Sequence, residues 1–315
     1  MGVLVLGGYG AVGREIVTLL RDRGVAAWAA GRDPARADRV VDLHDPGSTS
    51  LRAALRDVEV VVNAAGVEDP AVVAAIADHG AAVVDITASR GYVAALERLD
   101  LPRPVLLSVG LAPGLTNLLA AAVHAVEPAP IDLAILVGAG EHHGAAGVAW
   151  VYGLLGRRFP DPRTGARVRN FTQARRFALP DGTSRRLVRA DFSDQHVLTR
   201  DLDVPVRTYF GLDSRTATAT LAALSWIPGA AHAPRGLRFP GSERWLVLAR
   251  APHTTAWATG QRQSRATAAL AARAALAVAD TPPGVHHLHR VLTLEDVPAE
   301  AGAVHPPQGD PIRSG

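Results

Sequence analysis

Residues 3–7 (VLVLG) form an apolar block of leucine and β-branched residues, the mark of a strand buried on both faces. From residue 11 to 23 the period changes. Val12, Ile16, Leu19 and Leu20 recur at helical spacing, and Gly24 closes the helix. A second strand follows at 25–31, and the alternation continues with strands at 39–45, 58–66, 81–87 and 104–110 and helices at 51–57 and 69–79. Strands alternating with helices predict an α/β fold: a Rossmann-type, doubly wound parallel sheet over residues 1–122. In such a sheet, ligands collect at the carboxyl ends of the strands.

Residues 123–263 read differently. Strands at 131–138, 206–212, 244–250 and 253–260 surround a helix at 214–227, with Asp213 or Ser214 as its N-cap. This predicts a second, α+β domain for substrate binding and dimerisation, with one sheet face on a helix and the other open to substrate or a second subunit. A homodimer is expected on that ground. The segment 157–191 carries ten arginines against three aspartates and reads as a long loop, either a lid over an anionic substrate or a solvated basic hairpin. Residues 264–297 are expected to return to the first domain, and 298–315 to form a loose tail.

The chemistry concentrates between the first strand and helix. Gly8-Tyr9-Gly10-Ala11-Val12-Gly13 fits G-x-G-x-x-G, and Gly7, Gly10 and Gly13 equally fit the looser G-x-x-G-x-x-G. Glycine permits the tight turn and lets backbone N–H groups meet a pyrophosphate at the positive end of the helix. At the end of the second strand stand Gly31, Arg32 and Asp33, where a carboxylate would mark NAD. Arg32 suits a 2′-phosphate, so NADP(H) is favoured over NAD(H). In the alternative, Asp33 faces the ribose and Arg32 stacks on adenine. Asn63, Ala64, Ala65 and Gly66 lie at another strand end, where they would meet the ribose or nicotinamide side.

Composition removes several chemistries. The 315 residues include no cysteine, so disulfides and thiolate chemistry are absent. There is no lysine either, and all 33 basic residues are arginine, which excludes a Schiff-base or general-base lysine. A net charge of +3 gives no reason to expect nucleic acid, and no metal is expected. The longest apolar stretch, 264–279, is interrupted by Arg265 and Arg273, so no membrane span is predicted. A strand beginning at residue 3 leaves no room for a signal peptide, and a cytoplasmic location is expected.

GGYGAVGR, the GRD after the second strand, HGAAVVDIT and above all GLAPGLTNLLA (110–120) resemble the saccharopine dehydrogenase-like family. GQRQSRATAALAARAALA (260–277) followed by PPGVHH resembles that family's returning helix. The resemblance covers most of 1–122 and 260–295 and is thin between them. It implies NAD(P)-dependent oxidoreduction, often at a C–N bond through an imine. It also places Thr87, Pro113 and Gly114 near the cofactor, in a cleft between lobes. The chain departs from the family in three ways: the catalytic lysine of members that cleave saccharopine cannot exist here, Ala88-Ser89-Arg90 stand where many relatives carry glycine and glutamate, and the second lobe is shorter than in most members. A smaller amino-acid-derived substrate is therefore expected. The glycine loop also resembles short-chain dehydrogenases, but Tyr92 is followed four residues later by Leu96, which excludes their Tyr-x-x-x-Lys pair.

Reducing an imine or carbonyl needs a general acid of near-neutral pKa, and His142 or His143 after the strand at 131–138 is the first candidate. Tyr152 and Tyr209 are the other possible donors, while His286, His287 and His289 read as surface. Two other functions fit the same first domain: a non-catalytic NADP(H) sensor and an NADPH-dependent enoyl reductase.

Overall fold

The computed structural model describes residues 1–44, 49–140, 145–232 and 241–309. The opening apolar block is β1 (Gly2–Leu6), buried along its whole length. Then follow α1 (Ala11–Asp22), β2 (Ala26–Gly31), β3 (Arg39–Val40), α2 (Thr49–Ala54) and β4 (Val60–Asn63). After these come α3 (Pro70–Asp78), β5 (Ala82–Asp85), α4 (Arg90–Leu96) and β6 (Pro104–Leu107). The middle of the chain supplies α5 (Thr116–Val126), β7 (Ile131–Val137), α6 (Ala145–Leu154), β8 (Arg158–Pro160), β9 (Arg167–Arg169), β10 (Thr172–Ala178) and β11 (Ser184–Arg189). It continues through α7 (Ser193–Leu202), β12 (Val206–Leu212), α8 (Arg215–Leu224), β13 (Arg244–Arg250) and β14 (Thr254–Gln261). Last come α9 (Gln263–Ala277), β15 (Gly284–His287) and β16 (Ala303–Gly309).

Contacts divide the chain into two units. The first is Met1–Leu115 with Ser264–Ala301, and the second is Thr116–Gln263 with Gly302–Gly315. In the first unit, seven strands pair in the order β15-β6-β5-β4-β1-β2-β3. Every pairing is parallel. The order reverses at β1, which lies between β2 and β4, and this is where a doubly wound sheet opens a crevice for ligands. Val3, Leu4 and Val5 in β1 and Val60, Val61 and Val62 in β4 are fully buried. Each such side chain contributes about 1.5–3 kcal/mol of transfer free energy. The predicted six strands become seven because β15 returns from the C-terminal segment. The expected strand at 39–45 shrinks to the two residues of β3, since Asp42 and His44 are polar and open to water.

The second unit holds a mixed sheet in the order β10-β11-β12-β7-β13-β14-β16. β12 and β7 pair in parallel, and β10–β11, β11–β12, β7–β13, β13–β14 and β14–β16 are antiparallel. Three expectations change here. α5 belongs to the second unit, so the division falls at 115/116 rather than 122/123. The arginine-rich 157–191 is not one loop: it forms the β8–β9 pair and the β10–β11 hairpin, whose Phe177, Leu187 and Val188 reach the interior. The expected loose tail instead contributes β16, which pairs with β14. Pro306 and Pro307 lack the N–H that a central strand needs, but at a sheet edge that donor is dispensable. His305 stacks on Trp257 at 4.7 Å and anchors the strand.

The second unit also buries a charge cluster. Arg189, 2% exposed, donates to Asp161 at 2.7 Å, and Arg207 donates to the same oxygen at 3.2 Å. Burial acts to raise the Asp161 pKa. The hydrogen bonds from Arg189 and from the N–H groups of Thr164 and Arg163 outweigh it and hold the carboxyl well below the usual range. The resulting stabilisation is complete above the unfolded carboxyl value of about 3.9 and is lost as pH falls below it. Asp161→Asn leaves the Arg189 guanidinium buried and unpaired, and denaturant titration at pH 7 is expected to show a loss of about 3–5 kcal/mol. The gap between variant and parent should narrow as the titration is repeated below about pH 4, where the carboxyl of the unfolded parent begins to take up its proton and favours unfolding.

Candidate functional site

The glycines after β1 are required by the chain's own backbone. A Cβ on Gly7 would stand 2.7 Å from Ala64 O, one on Gly8 2.5 Å from Ala29 Cα, and one on Gly13 2.3 Å from Gly7 O. Gly7 also has φ 69°, which favours glycine. These contacts draw the β1 strand, the loop after β4, strand β2 and the start of α1 into one tight junction. Gly10 differs, since its nearest neighbour would be Gly7 O at 3.1 Å. It is the N-cap residue of α1, and no side chain caps it. The first turn, which begins at Ala11 and Val12, carries no acid. The positive end of the helix is therefore open to an anion.

A cavity of about 630 Å³ opens on this turn, lined by Gly7, Tyr9, Gly10 and Arg32 together with Ala64 and Ala65 after β4. All of its lining belongs to the first unit. Tyr9 is fixed as a wedge in its wall. Its hydroxyl oxygen accepts from the Asp33 N–H at 3.2 Å, and the Arg36 guanidinium lies 4.4 Å from the ring centre. Its ring presses on Gly31, where a Cβ would be 2.5 Å from Cε1. The Asp33 carboxylate accepts from the Ala35 N–H at 3.0 Å and so turns into its own loop. Arg32 lines the cavity from the end of β2, with Asp42 and His44 across from β3. His44 hydrogen-bonds Asp42 at 2.6 Å, and that bond draws the exposed Asp42 carboxyl below its ordinary pKa.

At the ends of β4 and β5 a buried network shapes the neighbouring loops. Asn63 Nδ2 donates to Asp85 Oδ2 at 2.8 Å and to Val67 O at 3.0 Å, while its Oδ1 accepts from the Ala65 N–H. Tyr92 and the Thr87 N–H also donate to Asp85, each at 2.8 Å. Burial raises the pKa of Asp85, and the same burial, with the Asp85 charge beside it, drives the Tyr92 phenol far above its ordinary value. Asn63 thus holds the loop that presents Ala64, Ala65 and Gly66 (φ 67°), while Asp85 orders the turn that carries Thr87. The Thr87 side chain, with its N–H, acts against burial and favours the charged form of Asp85. Further along, the Ala112–Pro113 peptide is cis and Gly114 has φ 139°; a Cβ there would lie 3.1 Å from Ser108 O.

Neither Tyr152 nor Tyr209, the candidate donors among the described residues, lines this cavity. His142 and His143 lie outside the described residues. Tyr152 is half-buried on α6. Tyr209 is buried in the second unit's core, edge-to-face with Phe177 at 5.1 Å. Sequence reasoning placed His287 at the surface, yet it is 4% exposed. One ring nitrogen bonds the Ser108 hydroxyl at 2.9 Å and the other bonds Glu97 at 2.7 Å, which satisfies the buried ring. Only the separation of 179 and 190 residues hid these partners.

No family model matches the chain, and no curated protein matches it in sequence. Among solved structures it is similar to a dipicolinate-bound dihydrodipicolinate reductase from Paenisporosarcina sp. TG-14, with 11% identity over 93% of this chain and 99% of that one and a TM-score of 0.41. It is also similar to a probable aspartate-semialdehyde dehydrogenase from Pseudomonas aeruginosa, with 15% identity, 86% and 78% coverage and a TM-score of 0.36. Identities and scores this low say nothing of what this chain binds or acts on.

Gly13→Ala tests the junction. The added methyl meets the Gly7 carbonyl, which is backbone and cannot rotate away, so thermal or denaturant unfolding of the unliganded protein should show a loss of about 1–3 kcal/mol. The same methyl at Gly10, where the space is larger, should cost less than half of that. Equal costs at the two positions would contradict the packing described here.

Proposed function

We propose that the chain is an NADP(H)-dependent oxidoreductase of the saccharopine dehydrogenase-like kind, acting on an imine or carbonyl carbon of a small amino-acid-derived substrate. The observation that carries this reading is the cavity at the β1/β4 crevice, with an uncapped helix end at Gly10 and Arg32 at the end of β2. A pyrophosphate suits the first and a 2′-phosphate the second, where a guanidinium forms paired, charge-assisted hydrogen bonds.

The cofactor supplies the hydride chemistry, and the protein supplies position and a proton. Gly10 and the first turn of α1 would hold the pyrophosphate, and Ala64 and Ala65 would pack beside the ribose. The general acid would come from His142 or His143, with Tyr152 as the next candidate. A homodimer built through the second sheet belongs to the same reading.

Arg32→Ala should weaken NADPH by about 10–100-fold, the loss of a charge-assisted contact, and leave NADH nearly unchanged. Fluorescence titration with both cofactors decides it, and equal losses would overturn the NADP(H) assignment. NADPH oxidation against cyclic imines and against oxo-acid plus amine pairs should show turnover for at least one class. A chain that binds NADPH but turns over none of them is a sensor, not a reductase.

A further inference from the structure

A second concavity, of about 580 Å³, lies wholly within the second unit, between the β10–β11 hairpin and α8. Arg176, Arg186 and Arg215 line it, Arg185 borders it, and no lining residue is acidic. Phe171, Val188 and Leu212 give it an apolar floor, and Trp226 stands at its rim, 62% exposed. None of the three arginines forms an ion pair with a described residue; Arg176 reaches only the Ser184 hydroxyl, at 3.3 Å.

Their placement is unfavourable three times over. Arg176 and Arg186 face each other directly across the antiparallel hairpin, and like charges at that position are destabilising. Arg215 sits in the first turn of α8, where a cation opposes the positive helix end. Phe171, just before β10, has φ 60°, and Gln173, at the irregularity inside β10, has φ 49°, a left-handed backbone that such residues rarely adopt. Three neighbouring arginines do have carboxylate partners, Arg189 and Arg207 on Asp161 and Arg175 on Asp132. Local rules broken together at one concavity mark a site whose stabilising partner comes from outside the fold.

We infer that this concavity binds a compact polyanion, a small molecule with at least two phosphate or carboxylate groups that bridge Arg176, Arg186 and Arg215. Guanidinium forks match either group bidentately, and an anion placed there cancels the cross-strand repulsion and the opposed helix end together. The site does not depend on the dinucleotide reading, because the two cavities share no residue.

The test uses the full chain with saturating NADPH and constant ionic strength, with sodium tripolyphosphate and citrate as probes in calorimetry and thermal melts. At least one probe should bind and raise the melting temperature, weakening as salt is added. The stronger of the two names the charged group. Arg176→Gln/Arg186→Gln should lower its affinity by about 100-fold or more, at 10-fold or more for each contact removed. In the absence of probe the same variant should melt no lower than the parent, since repulsion has been removed. Arg32→Ala should leave probe binding unchanged. If the double variant does not fold, Arg215→Gln on the exposed start of α8 carries the same comparison. Binding of neither probe, equal binding by parent and variant, or a lower melting temperature of the unliganded folded variant would each overturn the inference.

Discussion

The turn after β1 has room for backbone and nothing more. Three neighbours converge on it: the loop after β4, the middle of β2 and the first turn of α1. Because Gly7, Gly8 and Gly13 have no side chains, the helix start comes within backbone contact of the strand it leaves. That fixes where the open helix end lies relative to the β1/β4 crevice, and Tyr9 carries the constraint outward to Gly31. The cavity is thus a by-product of how closely these backbones approach. A looser junction would still bury β1, but it would aim the helix end elsewhere.

The first unit was legible because its strands are uniform. Blocks such as the valines of β4 and β5 have no polar face and can only be interior. β15 was not legible: its two histidines read as wet, and nothing local reveals that Ser108 and Glu97 wait for His287. The β10–β11 hairpin was obscured by arginine, since its buried positions are few and the rest of each strand faces outward. In the cavity the glycines and Arg32 were readable from spacing alone. Asn63 and Asp33 also bond within the protein, because a short polar side chain beside a turn reaches nearby N–H groups.

The buried carboxylates divide by the company they keep. Asp85 and Asp194 are surrounded by hydroxyl and amide donors: Asp194 accepts from Thr116 at 3.0 Å, from Thr208 at 2.7 Å and from the Gln195 N–H at 2.7 Å. Burial still raises the pKa of both. Asp161 is less deeply buried and meets two guanidinium groups and two loop N–H groups, and its pKa falls. Charge alone does not decide the outcome, since Asp132 pairs with Arg175 and burial still raises its pKa.

The chain leaves the first unit after Leu115 and returns at Ser264, and the second unit is closed by β16, which lies beyond that return. On the ribosome, β6 emerges with one flank bare, because its neighbour β15 lies some 180 residues downstream. The first sheet is incomplete until β15 has been made, and the second until β16 has been made. Vectorial synthesis therefore yields no finished N-terminal module, and the two sheets must close almost together, late and over long loops. The interleaving binds the fate of each half to the other through the order of translation.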